Sequence, residues 1–296
     1  MFSGSLVALV TPFDGNNQVD YDSLKRLIDF HVEQGSDGLV IAGTTGESAT
    51  LSRDEHIELI HRAVELAAGR LPIIAGTGSN STAQTVDLSV AVADSGIDAY
   101  LIVVPYYNKP VQDGLIRHFS TIADAVRKPI MMYNVPGRTV ADMLPETVAQ
   151  LARHDNIFAI KEATGDIDRL NAILELVGSD IDCFSGDDFT LLPFIEQGGK
   201  GVVTVSGNVA PRQVAELCRL AVSGSRGEAM ALDASLQPLN KMLFVESNPI
   251  PVKWAVSQIG LMEDHIRLPL TPFPLQYHDK MRAAMRTAGV TLEDHA

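Results

Sequence analysis

Eight short apolar runs, separated by segments of helical period, constrain this chain more than any other feature. The runs lie at Leu6–Val10, Gly38–Ala42, Pro72–Ala75, Ala99–Val104, Pro129–Tyr133, Ile157–Ile160, Asp182–Phe184 and Gly201–Val205. Short continuous apolar runs of this kind read as strands buried on both faces. Between them the period changes: Leu24, Leu27, Ile28 and Val32 follow i, i+3, i+4, i+8, and Val214, Leu217, Cys218 and Ala221 follow i, i+3, i+4, i+7, one face of a helix in each case. Ser52-Arg53-Asp54-Glu55 and Ser81-Thr82-Ala83-Gln84 have capping-box form, and Pro145 stands where a first-turn proline belongs.

Strands that alternate with helices, without long linkers, imply a parallel sheet. Eight is the closure number of the (β/α)8 TIM barrel, and 296 residues suit one. We expect the barrel, with the active site, over 1–224 and a C-terminal helical appendage packed on it over 225–296. In that second region Leu232, Leu236, Leu239 and Leu243 form one helical stripe. Val252, Ala255, Val256 and Ile259 form another after the break Asn248-Pro249-Ile250-Pro251, and a third helix covers much of 275–287. An open doubly wound sheet is the alternative. It would want a dinucleotide fingerprint, and Gly76-Thr77-Gly78-Ser79-Asn80-Ser81 has Ser81 where the third glycine belongs.

Barrel enzymes build their sites at the C-terminal ends of the strands, which sorts the chemistry-bearing residues. Strand two ends in Gly43-Thr44-Thr45-Gly46-Glu47-Ser48 and strand four in Pro105-Tyr106-Tyr107-Asn108. Strand five ends in Tyr133, with Arg138 in the loop beyond, and strand six in Lys161. Strand seven ends in Ser185-Gly186-Asp187-Asp188. Tyr133 and Lys161 fall on neighbouring strands and can face each other in the barrel mouth. A lysine at the end of an apolar run is costly to bury as a cation, so its pKa falls and the free amine is favoured. A neutral amine is the nucleophile that makes a Schiff base with a ketone or aldehyde. The competing reading is a strand-end lysine that snorkels to solvent. Gly43–Ser48 lacks the Gly-Lys-Ser/Thr ending of a P-loop, but its glycines and hydroxyls suit a carboxylate held by backbone N–H groups. The Arg138 fork suits a second carboxylate.

The charge balance bears on partners. At −14, with a pI near 4.9, the chain is a poor match for nucleic acid or an anionic membrane surface, while a small anionic substrate needs only local donors. No apolar run approaches the ~20 residues of a membrane span, and Met1-Phe2-Ser3-Gly4-Ser5 lacks a basic n-region and a cleavage site. Cys183 and Cys218 fit no metal or CxxC spacing and read as reduced core thiols of a cytoplasmic protein. Asp187-Asp188 has no histidine or further carboxylate at a useful spacing, and His56 and His61 cannot share a metal on one helix face. We expect no catalytic metal and no cofactor.

Five motifs in chain order then carry a resemblance that runs essentially end to end. Gly43–Ser48, Pro105–Asn108, Tyr133-Asn134-Val135-Pro136-Gly137-Arg138-Thr139, Ile160-Lys161-Glu162-Ala163-Thr164-Gly165 and Ser185–Asp188 resemble the dihydrodipicolinate synthase family, as do Phe244-Val245-Glu246 and Asn248–Trp254. The resemblance implies a lyase of the class I pyruvate-dependent aldolases. Lys161 would condense with pyruvate, and the enamine would attack L-aspartate 4-semialdehyde to give 4-hydroxy-tetrahydrodipicolinate. That is the first committed step of the diaminopimelate route to lysine. It further implies that Tyr133 relays protons, that Thr45 links it to Tyr107 reaching from a neighbouring subunit, and that Thr44 and Thr45 hold the pyruvate carboxylate. Arg138 would hold the semialdehyde carboxylate, with Gly186 and Val203 lining the pocket.

An allosteric lysine site of the family is matched by Ser48, Ala49, His56, Asn80 and Tyr106. Arg53 and Gln84 stand where the lysine-inhibited bacterial enzymes have histidine and glutamate, and this predicts weak or absent lysine feedback. The resemblance implies a homotetramer built as a dimer of dimers. Asp168 and Gln197, in the region of the weaker interface, keep a stable dimer as an alternative. Two other functions compete: a sister aldolase such as N-acetylneuraminate lyase, which differs at the mouth, and a silent barrel that senses an amino acid, which would lack Lys161 or Tyr133.

Overall fold

The computed structural model describes residues 2–293. Its strands are β1 Gly4–Ala8, β2 Gly38–Ile41, β3 Ile73–Gly76, β4 Ala99–Val103, β5 Ile130–Asn134, β6 Ile157–Glu162, β7 Asp182–Ser185 and β8 Gly201–Thr204. They pair in parallel, in sequence order, and β8 returns to β1 to close the barrel. The connecting helices are α1 Tyr21–Gln34, α2 Arg53–Ala67, α3 Thr82–Ala91, α4 Gln112–Ala125, α5 Pro136–Thr139, α6 Pro145–Leu151, α7 Ile167–Val177, α8 Leu191–Glu196 and α9 Pro211–Ser223. Then come α10 Arg226–Leu243, α11 Ile250–Ser257 and α12 His278–Thr287. The expected eightfold barrel with its helical appendage is the observed architecture.

The apolar runs are continuous because both strand faces are covered. Leu6, Ala8, Val40, Ile74, Leu101, Met131, Ala159, Phe184 and Val203 pack together inside the barrel. Their neighbours Val7, Leu39, Ile41, Ile73, Ile102, Met132, Ile160 and Val202 pack under the helices, as the twofold alternation of a strand requires. Closure needs a close backbone approach where β8 meets β1: a Cβ on Gly201 would lie 2.0 Å from the Gly4 carbonyl oxygen. The pairing that matters most for function joins β5 to β6, with Tyr133 opposite Lys161 and Asn134 opposite Glu162.

Several local expectations shift. Ser52 and Glu55 form a reciprocal capping box on α2. On α3 the Ser81 side chain accepts from the Gln84 N–H, while the Gln84 side chain is engaged by the Ser79 hydroxyl instead. Arg138, expected in a loop, lies in the single-turn helix α5, which Pro136 starts. Strand β6 continues past the apolar run through Lys161 to Glu162, and Ile259 falls beyond α11. In the C-terminal region α10 packs on α9 and α12. No helix among the described residues is long and apolar enough to cross a membrane.

Candidate active site

Lys161 owes its position to the buried run Ile157–Ile160, which carries it into the last rungs of β6, where the side chain is 6% exposed. Its Nζ lies 4.1 Å from the centroid of the Tyr133 ring. Across the mouth Gly186 leaves room for the lysine arm. A Cβ there would approach Lys161 Cε to 2.9 Å and Ala163 Cβ to 2.5 Å. The groups converge on a cavity of about 120 Å³ lined by Gly43, Thr44, Thr45, Tyr133, Arg138, Lys161, Gly186 and Asp187, with Val205, Phe244 and Asn248.

Burial pulls the Lys161 pKa down to about 7, because a desolvated ammonium is disfavoured. The Asp188 carboxylate opposes that shift and the Arg138 cation adds to it. Burial also raises the Tyr133 phenol, against the pull of Arg138 and of the Thr44 side chain. The phenol therefore stays protonated at neutral pH and can donate.

The Gly43–Ser48 loop is held by its own backbone. Its turn is closed by Gly46 N–H to the Gly43 carbonyl at 3.1 Å and Glu47 N–H to the Thr44 carbonyl at 3.1 Å. Among the described residues, nothing accepts the N–H of Thr44 or of Thr45, so two donors are left for a ligand at the cavity wall.

The structure redistributes three expected roles. The threonine whose side chain lowers the Tyr133 phenol against burial is Thr44. The Thr45 hydroxyl accepts from Asn248 Nδ2 at 3.0 Å, and among the described residues it forms no hydrogen bond to Tyr133. Val203 is packed inside the barrel below the cavity. Val205, just past the strand, lines the cavity instead. Tyr107 has a backbone φ of 74° and a side chain 88% exposed; within this chain it does not reach the cavity.

A second cleft, about 550 Å³, adjoins the first and shares Thr44, Val135 and Arg138 with it. Ser48, Ala49, Arg53, His56, Gln84 and Tyr106 line it, and Asn80 does not. Arg53 is tied to Asp87, Nε to Oδ2 at 2.7 Å.

Three further groups shape the site. Asp188 is buried and accepts from the Thr204 hydroxyl and from the N–H groups of Val205 at 2.8 Å and Ser206 at 3.1 Å. Phe244 and Asn248 come from the C-terminal region and complete the cavity. Asn248 also gives its carbonyl to Arg138 Nη2 at 3.3 Å. Among the described residues, no group of three or more His, Cys, Asp or Glu is placed to hold a metal ion.

The model of the dihydrodipicolinate synthetase family matches residues 1–288. The chain belongs to this family. It is 54% identical over 290 residues to the 4-hydroxy-tetrahydrodipicolinate synthase of Pseudomonas syringae, covering 98% of this chain and 99% of that one. Against the enzyme of the same name from Pseudomonas aeruginosa the identity is 52%, with the same coverage. Among solved structures, a chloride-inhibited dihydrodipicolinate synthase from Acinetobacter baumannii complexed with pyruvate superposes with a TM-score of 0.96. Its identity is 44%, over 98% of this chain and 100% of that one. The enzyme from Cyanidioschyzon merolae with lysine bound gives 0.93 at 39% identity, over 98% and 99%.

The buried amine has a stability signature whose sign can be worked out. The folded pKa, near 7, lies below the unfolded value of about 10.4, so the unfolded chain binds more protons between them. Replacing Lys161 by Met removes this cost. Lys161→Met is expected to be more stable than the parent chain by a constant margin below about pH 7. That margin should close by roughly 1.4 kcal/mol per pH unit as the pH rises toward 10. Urea unfolding of both proteins across this range is the check.

Proposed function

We propose that Lys161 is the Schiff-base amine of a lyase that condenses pyruvate with L-aspartate 4-semialdehyde to give 4-hydroxy-tetrahydrodipicolinate, the first committed step of the diaminopimelate route to lysine. One observation carries the reading: a buried amine held near neutrality, in a cavity sized for a small keto acid, beside a protonated phenol. The free amine adds to C2 of pyruvate, and the carbinolamine loses water to give the imine. The imine makes the C3 proton acidic, and its loss gives the enamine. Enamine C3 attacks the semialdehyde carbonyl, whose oxygen takes a proton. The semialdehyde amine then attacks C2, closes the ring and frees Lys161. Relatives named for this reaction favour it over N-acetylneuraminate lyase chemistry.

In this scheme Tyr133 donates and recovers the protons, with Thr44 in the relay place first expected of Thr45. The N–H groups of Thr44 and Thr45 hold the pyruvate carboxylate, and Arg138 at the rim holds that of the semialdehyde. Tyr107 is exposed and does not line its own cavity, which suits a role in the site of a second copy. We infer a homo-oligomer whose smallest active unit is a twofold dimer, assembled as a tetramer of two dimers. Asp168 and Gln197, both exposed, keep the stable dimer as the alternative. Free, buried Cys183 and Cys218 fit a cytoplasmic enzyme.

The second cleft bears on regulation. Its carboxylate, Asp87, is engaged by Arg53, and Gln84 is neutral, so an amino-acid ammonium finds no free anionic partner among these residues. A lost charge-assisted bond costs about 1.5–3 kcal/mol, so we propose weak or absent inhibition by lysine. Two outcomes follow. Borohydride treatment with pyruvate should add one reduced pyruvate to the intact mass of the parent chain and none to Lys161→Ala; a folded parent chain without the adduct refutes the amine mechanism. Titration of L-lysine into the coupled assay should leave activity largely intact until millimolar concentrations, and strong inhibition below that range refutes the regulatory reading.

A further inference from the structure

Outside the cavity, the structure buries an ion pair that the chemistry above does not use. Lys253 Nζ lies 2.6 Å from Glu47 Oε1, and both side chains are 1% exposed. The other Glu47 oxygen accepts the Arg267 N–H at 3.1 Å. The Arg267 guanidinium reaches on to Glu55 Oε2 at 3.1 Å and the Thr50 carbonyl at 3.0 Å. The Phe13 ring is flanked by both cations, Lys253 Nζ and Arg267 Cζ each 4.2 Å from its centroid.

Both partners attach to parts of the site. Glu47 sits in the left-handed region, φ 56°, and its N–H closes the turn onto the Thr44 carbonyl. Fixing its carboxylate therefore fixes the turn that presents Thr44 and Thr45. Lys253 belongs to α11, and its N–H bonds to the Pro249 carbonyl at 3.0 Å. That carbonyl is one residue from Asn248, which holds the Thr45 hydroxyl and Arg138. One short segment, 248–253, thus touches the loop that cradles one carboxylate and the arginine that faces the other.

Stability alone is a weak reason for such a pair, because apolar replacements of a buried ion pair are often neutral or stabilising. Resting on the catalytic reading above, we propose that Glu47 and Lys253 are positioning residues. Their ion pair clamps the 248–253 segment to the Gly43–Ser48 loop and so sets the geometry of both substrate-carboxylate sites without touching substrate.

The test compares the parent chain with the double variant Glu47→Gln/Lys253→Met, which removes both charges and leaves no unpaired ion. Steady-state kinetics, borohydride trapping at saturating pyruvate, and thermal melting are measured on each. The expected result is a folded variant that still forms the pyruvate adduct but shows KM raised about tenfold or more for both substrates, as misplacement of binding groups predicts. KM values within twofold of the parent, or loss of the adduct in a folded variant, overturn the proposal. Should the double variant not fold, Lys253→Arg keeps the charge and alters its reach, and is judged by the same readouts. Failure of the amine mechanism itself would show separately, as absence of the adduct in the parent chain.

Discussion

Burial of one lysine side chain at the open end of a closed barrel is the constraint on which the rest of this site depends. An ammonium in that place is poorly solvated, and among the described residues no carboxylate pairs it directly. The result is an amine near its titration point at neutral pH, the state in which it attacks a carbonyl. The surroundings tune this balance from two sides: Asp188 favours the cation and Arg138 disfavours it. The buried Asp188 is held by the Thr204 hydroxyl and two backbone N–H groups, so its charge is offset without being spent on the lysine.

Around that amine the barrel distributes tasks by strand. Tyr133 on β5 lies opposite Lys161 on β6, with the lysine Nζ 4.1 Å from the centroid of its ring. The loop after β2 leaves the N–H groups of Thr44 and Thr45 without an acceptor among the described residues, and the short helix after β5 brings Arg138 to the cavity wall. The C-terminal region is more than a cover, since Asn248 ties Thr45 and Arg138 to one segment and Lys253 anchors that segment to Glu47. The cavity is therefore assembled from both regions of the chain, with Lys161 and Tyr133 supplied by the barrel and Thr45 and Arg138 tied to the C-terminal region.

The fold was legible because each level of the sequence agreed with it: continuous apolar runs for strands covered on both faces, helical periods between them, and eight repeats for closure. The facing of Tyr133 and Lys161 followed once strand order was known. What failed to read out lies where no period operates. Thr44 and Thr45 are adjacent in an irregular loop, and nothing in their order shows which one meets Tyr133. Val203 lies on β8 and packs inside the barrel, whereas Val205 follows the strand in a helical backbone conformation, where strand alternation no longer tells which residue meets the cavity. Asn248 approaches Thr45, and Lys253 approaches Glu47, across some two hundred residues of chain. Their motif marked them by resemblance, but local pattern gave only a break between helices. The donors to Asp188 come from 204–206, at and just past the end of β8, which no pattern around Asp187-Asp188 shows. Tyr107 carried a family role that a single chain cannot display.

The most direct test of the account is the pH dependence of the rate at which pyruvate forms its adduct in a single turnover, read by rapid quench with borohydride. A buried amine poised near neutrality predicts a rate that rises with pH through a midpoint near 7, the value burial imposes on Lys161. A midpoint near 10, the ordinary value for a solvated lysine, would show that the side chain reacts from water and would contradict the central claim.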